Sequence, residues 1–129
     1  MTELMTLADQ LFTGELDIEQ HHPFRLFGEL AEIDRGAFVA AFANASALAT
    51  DDGLLLVDTS STFLSERVHD TLRQWRTDPV NTIVFTHGHI DHCFGVERYE
   101  EDARRDGHSA PRVIAHEAIT ARFERYVRT

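Results

Sequence analysis

The chain has 129 residues and a formal net charge of −10, from 22 acidic and 12 basic residues, a length that suits one domain. An acidic surface disfavours nucleic acid and anionic membrane as partners, because like charges repel. Cys93 is the only cysteine and permits no intrachain disulfide, and we expect neither a signal peptide nor a membrane span, which favours the cytoplasm.

The N-terminal part, residues 1–23, is predicted to be a helix followed by an arm. Leu4, Leu7 and Leu11 recur on one helical face, which indicates a short amphipathic helix over residues 4–12. The arm, residues 14–23, contains the pair His21 and His22. A solvated loop is the favoured interpretation of this pair, and a contact to substrate or metal is the alternative.

Short strands are predicted over residues 24–58. Apolar and polar side chains alternate around 24–30 and 38–42, with a turn at 34–36 between them. A second turn at 51–53 precedes the continuous apolar run 54–57, which is typical of a strand covered on both faces. Three or four antiparallel strands in a meander fit this pattern best.

From residue 58 onward the pattern alternates between helix and strand. Residues 58–62 are rich in helix-capping types, and apolar residues at helical spacing follow them. The predicted elements are a helix from Leu64 to about Trp75, a strand at 82–85, a helix from about 95 to 105 closed by Gly107, a strand at 113–115 and a last helix marked by Ile119, Phe123 and Val127. Such alternation is what parallel pairing through helical crossovers requires.

The chemistry of the sequence is concentrated in the loop after the strand at 82–85. Three histidines and one aspartate lie within six positions: His87, His89, Asp91 and His92. Neutral imidazole and carboxylate are ligands that borderline divalent metals prefer. Residues two apart in an extended loop project to the same side, so His87 and His89 can bind one ion together.

Two other interpretations of this loop are weaker. An isolated HxH is commonly a polar turn, but here it is followed by an Asp-His pair and lies between a buried strand and a helix. An HxH on a first barrel strand, as in amidohydrolases, needs no such pair, and here strands and a helix precede the motif. Metal binding is therefore the favoured interpretation.

The segment Thr-His-Gly-His-Ile-Asp-His, residues 86–92, resembles the HxHxDH signature of the metallo-β-lactamase superfamily. The buried run Leu-Leu-Leu-Val-Asp-Thr at 54–59 is also similar to that family's strand ending in an aspartate, and the resemblance covers about residues 43–118. It implies an α/β fold, namely half of an αββα sandwich with a mixed sheet and flanking helices, over residues 24–129.

The resemblance also implies roles for individual residues. His87 and His89 would bind a first metal, and Asp91 and His92 a second, with zinc as the expected ion. Asp91 would also be catalytic, orienting the nucleophilic water and the proton that leaves it. Asp58 would hold the loop from behind the ligands.

The sequence departs from the family pattern in two places. The family usually has two glycines after one variable residue, whereas this chain reads Cys93-Phe94-Gly95. Phe94 is expected to pack under the helix, with a place in the pocket wall as the alternative. Cys93 is expected to be a buried thiol, with an extra ligand or redox-sensitive thiol as the alternative.

The larger departure is that the family completes its site from a second half that this sequence lacks. After His92 only His108, expected in solvent, and His116, a possible site contact, remain. Half a sandwich leaves an apolar sheet face uncovered, so a homo-oligomer or a complementary C-terminal half is the expected partner.

Two functions from different classes follow. The first is a metal-dependent hydrolase of a small ester-like substrate, a sulfate ester or a lactone, most similar to alkyl or aryl sulfatases, with little turnover by the isolated chain. The second is a non-catalytic half-domain, or truncated fragment, that associates with another chain. A nuclease of the same superfamily is disfavoured by the acidic charge.

Overall fold

The computed structural model describes residues 3–22 and 27–128; the predicted strand residues 24–26 lie outside them. The helices are α1 (Glu3–Thr13), α2 (Ser65–Trp75), α3 (Ile90–Cys93), α4 (Val96–Asp106) and α5 (Ala118–Arg128). The strands are β1 (Leu30–Ile33), β2 (Gly36–Val39), β3 (Ala45–Thr50), β4 (Gly53–Val57), β5 (Val80–Val84) and β6 (Arg112–Ile114). The predicted order of elements is confirmed within this part of the chain.

The strands form one six-stranded sheet in the order β1-β2-β3-β4-β5-β6. The first four are antiparallel neighbours, whereas β4, β5 and β6 pair in parallel. The change of direction follows from the connections, because tight turns join the first strands and helices join the last three. An α/β fold with a mixed sheet and flanking helices is thereby confirmed.

One face of the sheet is buried beneath α2 and α4. Register places alternate residues of neighbouring strands on this face, and they are almost inaccessible to solvent: Ala37, Val39, Ala45, Ala47, Leu56 and Ile83. Val68 and Leu72 of α2 and Tyr99 of α4 belong to the same buried set. The apolar face of each helix and the apolar face of the sheet therefore pack together in one core.

The opposite face of the sheet is also apolar. Cross-strand partners Phe38, Val57 and Val84 are half-buried on it, and their neighbour Ile114 is 43% exposed. Leu48 lies on the same face and is 49% exposed. The run at 54–57 was expected to be covered on both faces, but only its alternate members, Leu54 and Leu56, are fully buried, on the face against which α2 and α4 pack.

A buried ion network joins α2 to α4. The carboxylate of Asp102 accepts hydrogen bonds from Arg73 Nε at 2.7 Å, Arg105 Nη1 at 2.8 Å and His69 Nε2 at 2.7 Å. Burial opposes ionisation of Asp102, but the bonds and charges of His69 and Arg73 outweigh it and hold its pKa below the ordinary value of 3.8. The network therefore fixes the two helices against each other.

Helix ends differ from the sequence expectation at one point. The capping-type residues 58–62 do not cap α2, whose N-cap is Leu64 and has no side-chain cap bond. They form instead the loop that faces the histidines. The predicted end of α4 is confirmed. This helix ends at Gly107, whose φ of 73° is the left-handed conformation that glycine adopts most readily.

Across the described ranges, no helix combines the length and the apolar character needed to cross a membrane.

Candidate metal centre

The histidine-rich loop lies at the carboxyl ends of the parallel strands β4 and β5. It leaves β5 after Val84, passes through the short helix α3 and enters α4 at Gly95. The segment that follows β4, residues 58–64, lies beside it. This edge of a parallel sheet is where open α/β folds place their ligand sites.

Asp58 anchors the loop from its buried position at the end of β4. Its carboxylate accepts hydrogen bonds from the Thr86 backbone N at 2.8 Å and from Thr86 Oγ1 at 2.7 Å. It also accepts one from His92 Nδ1 at 2.7 Å. Asp58 has a φ of 61°, a left-handed conformation that aspartate tolerates better than most residues. These are contacts by which Asp58 can hold the loop, the role that was predicted for it.

These hydrogen bonds fix the tautomers of two histidines when their rings are neutral. A carboxylate can only accept, so Nδ1 of His92 carries its proton and Nε2 keeps its lone pair. The hydroxyl proton of Thr86 goes to Asp58, so Nδ1 of His87, 3.0 Å from Thr86 Oγ1, donates to that oxygen. Both Nε2 atoms are thereby left as acceptors, the form in which imidazole binds a metal.

The four predicted ligands come together in two pairs. His87 Nε2 lies 2.8 Å from His89 Nδ1. His92 Nε2 lies 3.5 Å from Asp91 Oδ2. The pairs adjoin, because the ring centroids of His87 and His92 are 4.0 Å apart. These are the pairs that the sequence assigned to a first and a second metal.

The donor atoms are of types that suit zinc, but they are neither spaced for it nor complete. Two nitrogens bound to one tetrahedral zinc are about 3.3 Å apart, so His87 and His89, at 2.8 Å, need to separate by about half an ångström. Within the described residues, no group of three or more His, Cys, Asp or Glu side chains is arranged for one ion. The assignment of His87, His89, Asp91 and His92 as ligands stays a prediction.

Backbone contacts lock the loop to the segment after β4. Thr59 N donates to His92 O at 2.7 Å, and Phe94 N donates to Ser60 O at 3.1 Å. Gly95 N donates to Thr59 Oγ1 at 3.1 Å. A Cβ on Gly95 would overlap the carbonyl oxygen of Thr59, so this glycine permits the close approach of the two chains.

Cys93 and Phe94 have different surroundings. The Cys93 thiol is buried and donates to His87 O at 3.1 Å. Cys93 is 6% exposed, which confirms the expected buried thiol. Burial, with the charges of Asp58 and Asp91, raises its pKa to about 12. The expectation that Phe94 packs under a helix is wrong: it is 41% exposed, and its ring lies 5.2 Å from that of Phe123. Its φ of −100° suits a residue with a side chain.

The other histidines singled out in the sequence are exposed or contact residues near them in the chain. His116 is exposed, and its Nδ1 accepts from Ala118 N at 3.1 Å, which caps α5. His108 is exposed at the end of α4, as expected. His21 Nδ1 lies 3.2 Å from Asp17 O within the arm, and His22 is exposed. A metal contact by His116 stays a prediction without a described contact to support it.

The sequence did not indicate that α5 contacts the histidine loop. Tyr126 Oη lies 3.5 Å from Gly88 O. Arg122 Cδ and Ile119 Cγ1 would each lie 3.3 Å from a Cβ on Gly88. Residues 119, 122 and 126 are spaced by three and four, so they share a helical face. That spacing was the available signal, but it does not reveal what the face touches.

Comparison with known proteins identifies the family. A sequence profile described as the metallo-beta-lactamase superfamily matches residues 39–104. This range is about half of the chain and includes β4, β5, the histidine loop and most of α4. The chain belongs to the metallo-β-lactamase superfamily, and the resemblance inferred from the HxHxDH motif is confirmed. No significant match is found among curated proteins.

Solved structures share the fold. A double mutant of the sec-alkyl sulfatase PisA1 matches with 25% identity and a TM-score of 0.56, over 70% of this chain and 15% of the sulfatase. A HARLDQ-motif mutant of the metallo-β-lactamase from Cronobacter sakazakii matches with 22% identity and a TM-score of 0.59, over 74% of this chain and 36% of that one. The subclass B3 enzyme BJP-1 of Bradyrhizobium japonicum has 22% identity and a TM-score of 0.52, over 69% and 34%. This chain therefore spans about a third or less of their length.

Proposed function

We propose that this chain provides the metal-binding half of a metal-dependent hydrolase that acts on a small ester-like substrate. The observation that carries the proposal is the convergence of His87 with His89, and of Asp91 with His92, at the carboxyl edge of the parallel strands. The superfamily membership of residues 39–104 supports hydrolysis as the reaction class. The likeness to an alkyl sulfatase favours a sulfate ester, with a lactone as the other candidate.

In this proposal His87 and His89 hold one divalent ion, and Asp91 and His92 hold a second. Zinc, when bound, lowers the pKa of water to about 7, so that hydroxide is available for attack at neutral pH. Asp91, half-buried at the start of α3, would orient the attacking water and the proton that leaves it. Asp58 keeps the Nε2 atoms of His92 and, through Thr86, of His87 free of protons.

The remaining ligands and most of the substrate pocket come from a second polypeptide segment or chain. The apolar sheet face that carries Leu48, Val57 and Ile114 supports this, because a surface of that kind is stabilised by burial. The occupant is either a complementary C-terminal half or a second copy of the chain. A single buried cysteine needs no oxidising environment, and we place the protein in the cytoplasm.

Zinc stoichiometry tests the proposed metal site. The purified chain is dialysed against zinc, and bound metal is measured per chain for the wild type, His89→Ala and the control His108→Ala. His108 is exposed at the far end of α4, so its variant keeps the wild-type stoichiometry, whereas His89→Ala loses tight binding. Unchanged zinc content in His89→Ala contradicts the assignment.

Turnover by the isolated chain tests whether the site is incomplete. Zinc-loaded monomer is assayed with an aryl sulfate and with a lactone, and we expect little or no metal-dependent hydrolysis. Robust zinc-dependent turnover by a monomer would show that the described ligands suffice. A second function, a non-catalytic half-domain, gains support if the chain binds a partner but takes up no zinc with or without it.

A further inference from the structure

The C-terminal helix α5 packs against the histidine loop at Gly88. Arg122 Nε donates to Tyr126 Oη at 3.1 Å, and that oxygen lies 3.5 Å from Gly88 O. Ile119 is buried and belongs to the core. A Cβ on Gly88 would lie 3.3 Å from both Arg122 Cδ and Ile119 Cγ1, so the helix fits closely against a residue without a side chain.

This contact involves the residue that joins two candidate ligands. Gly88 separates His87 from His89, and the rings of these two histidines contact each other. A helix that holds Gly88 therefore restricts the backbone that carries both imidazoles.

A second contact links α5 to the loop at Phe94, six residues after Gly88. The ring of Phe123 lies 5.2 Å from that of Phe94, at a tilt of 60°, a favoured aromatic arrangement. Phe94 begins the connection from α3 to α4, directly after Cys93. One helix therefore touches the loop both within the HxH segment and just beyond the Asp-His pair.

We propose that α5 is a clamp that holds the backbone joining His87 to His89, with Arg122 and Tyr126 as positioning residues. This inference rests on the proposed function, because it assigns a role toward the metal that those histidines would bind. Arg122 holds the Tyr126 hydroxyl near Gly88 O, and the Cδ of Arg122 limits the movement of Gly88 toward α5. The clamp restricts the backbone that carries the two imidazoles, while their side chains can still separate to take up metal.

Because Arg122 is charged, the direction of the change in zinc affinity distinguishes a clamp from an electrostatic effect. A guanidinium near a cation site repels the cation, so removing the charge strengthens zinc binding if electrostatics dominates. Removal of a clamp weakens zinc binding, because the backbone that carries the two histidines is then less ordered and loses more conformational entropy when metal binds. The direction of the change in affinity therefore separates the two explanations.

The test uses the double variant Arg122→Met/Tyr126→Phe, which keeps two large side chains and removes the polar connection. Arg128→Met is the matched control, because Arg128 is an exposed arginine of the same helix whose described ion pair, at 3.6 Å, is with Glu124. Zinc affinity is measured by competition with a chromophoric chelator, and the coordination sphere by the visible spectrum of the cobalt-substituted chain. We expect zinc affinity to fall about tenfold in the double variant, with a changed cobalt spectrum, and neither change in the control.

Unchanged or tighter zinc binding by the double variant overturns the clamp, while loss of binding in His89→Ala still upholds the metal site. If the wild type itself binds no zinc, the proposed function fails, and hydrogen exchange of the amides of residues 87–89 in the metal-free chain decides on the clamp. Faster exchange in the double variant than in Arg128→Met supports it. Equal exchange in the two variants overturns it.

Discussion

Two glycines of the histidine loop have surroundings that differ in kind. A Cβ on Gly95 would overlap the backbone oxygen of Thr59, which cannot move without displacing the loop. The atoms nearest to a Cβ on Gly88 would be side-chain atoms of Arg122 and Ile119, at 3.3–3.4 Å. The first glycine is therefore required by the path of the chain, and the second by the fit of α5.

We expect Gly95→Ala to lower the free energy of unfolding by about 3 kcal/mol, at the upper end for overpacking, because backbone must shift. Gly88→Ala lowers it by about 1 kcal/mol or less, because side chains can give way. Chemical denaturation of the two variants provides the comparison. Similar losses in both would contradict this account of the loop.

Thr86 shows how one hydroxyl connects a buried carboxylate to a candidate ligand. Its Oγ1 donates to Asp58 and accepts from His87. Thr86→Val keeps the shape and the backbone bond to Asp58 Oδ1 but removes this connection. We expect zinc affinity to fall about tenfold, as measured by chelator competition.

Thr86→Ser keeps a hydroxyl at the same position and is the matched control, so it should retain zinc affinity close to that of the wild type. If Thr86→Val and Thr86→Ser bind zinc equally well, the hydroxyl does not orient His87.

At the scale of elements, the packing of α2 on α4 depends on Asp102. The carboxylate is buried and contacts Arg73 and His69 of α2 and Arg105 of its own helix. Removing one member of a buried ion network leaves the others without a partner. The network therefore makes the relative position of these helices sensitive to a single charge.

The variant Asp102→Asn is expected to lose about 3 kcal/mol of stability at pH 7. Because its pKa in the folded chain lies below the ordinary 3.8, the ionised Asp102 contributes in full above that pH. The contribution is lost as the pH falls below 3.8 through the folded-state value. Urea unfolding from pH 7 to pH 2 should show the wild type and Asp102→Asn converging at the acid end.

Asp106→Asn is the control, since Asp106 is more exposed and its described ion pair is with Arg105. Little change in its stability is expected. A gap between the wild type and Asp102→Asn that persists undiminished at pH 2 would contradict the assignment.

For the whole molecule, the apolar sheet face predicts association. Leu48 is 49% exposed on that face, whereas Val127, which belongs to α5 and not to the sheet, is 88% exposed. We expect the chain to self-associate in sedimentation analysis, Leu48→Asp to shift it toward monomer and Val127→Asp to leave it unchanged. A wild type that stays monomeric, or an equal effect of both variants, would exclude a homo-oligomer through this face.

The sequence predicted most of the fold because its elements have clear periods. The four-residue spacing of Leu64, Val68 and Leu72 defines α2, and the HxHxDH segment identified the superfamily. Side-chain positions set by distant contacts were not predictable in this way. Phe94 was expected under a helix, but its ring meets Phe123 from α5, a contact that no local pattern encodes.

The covering of the sheet shows the same limit. An apolar run such as 54–57 indicates that both faces are suited to burial, but not whether the chain itself provides both covers. Leu56 is fully buried and Val57 only half-buried, because helices pack on one face. The apolar pattern therefore shows that the second face is suited to burial, but it does not identify what covers that face.

The most direct measurement of the metal site is an anomalous difference map, at the zinc absorption edge, from crystals of the chain grown with zinc. The account predicts a peak about 2.0–2.1 Å from both His87 Nε2 and His89 Nδ1, with the two nitrogens further apart than 2.8 Å. Crystals with zinc in excess that retain the direct contact between these two rings, and show no peak there, would contradict it.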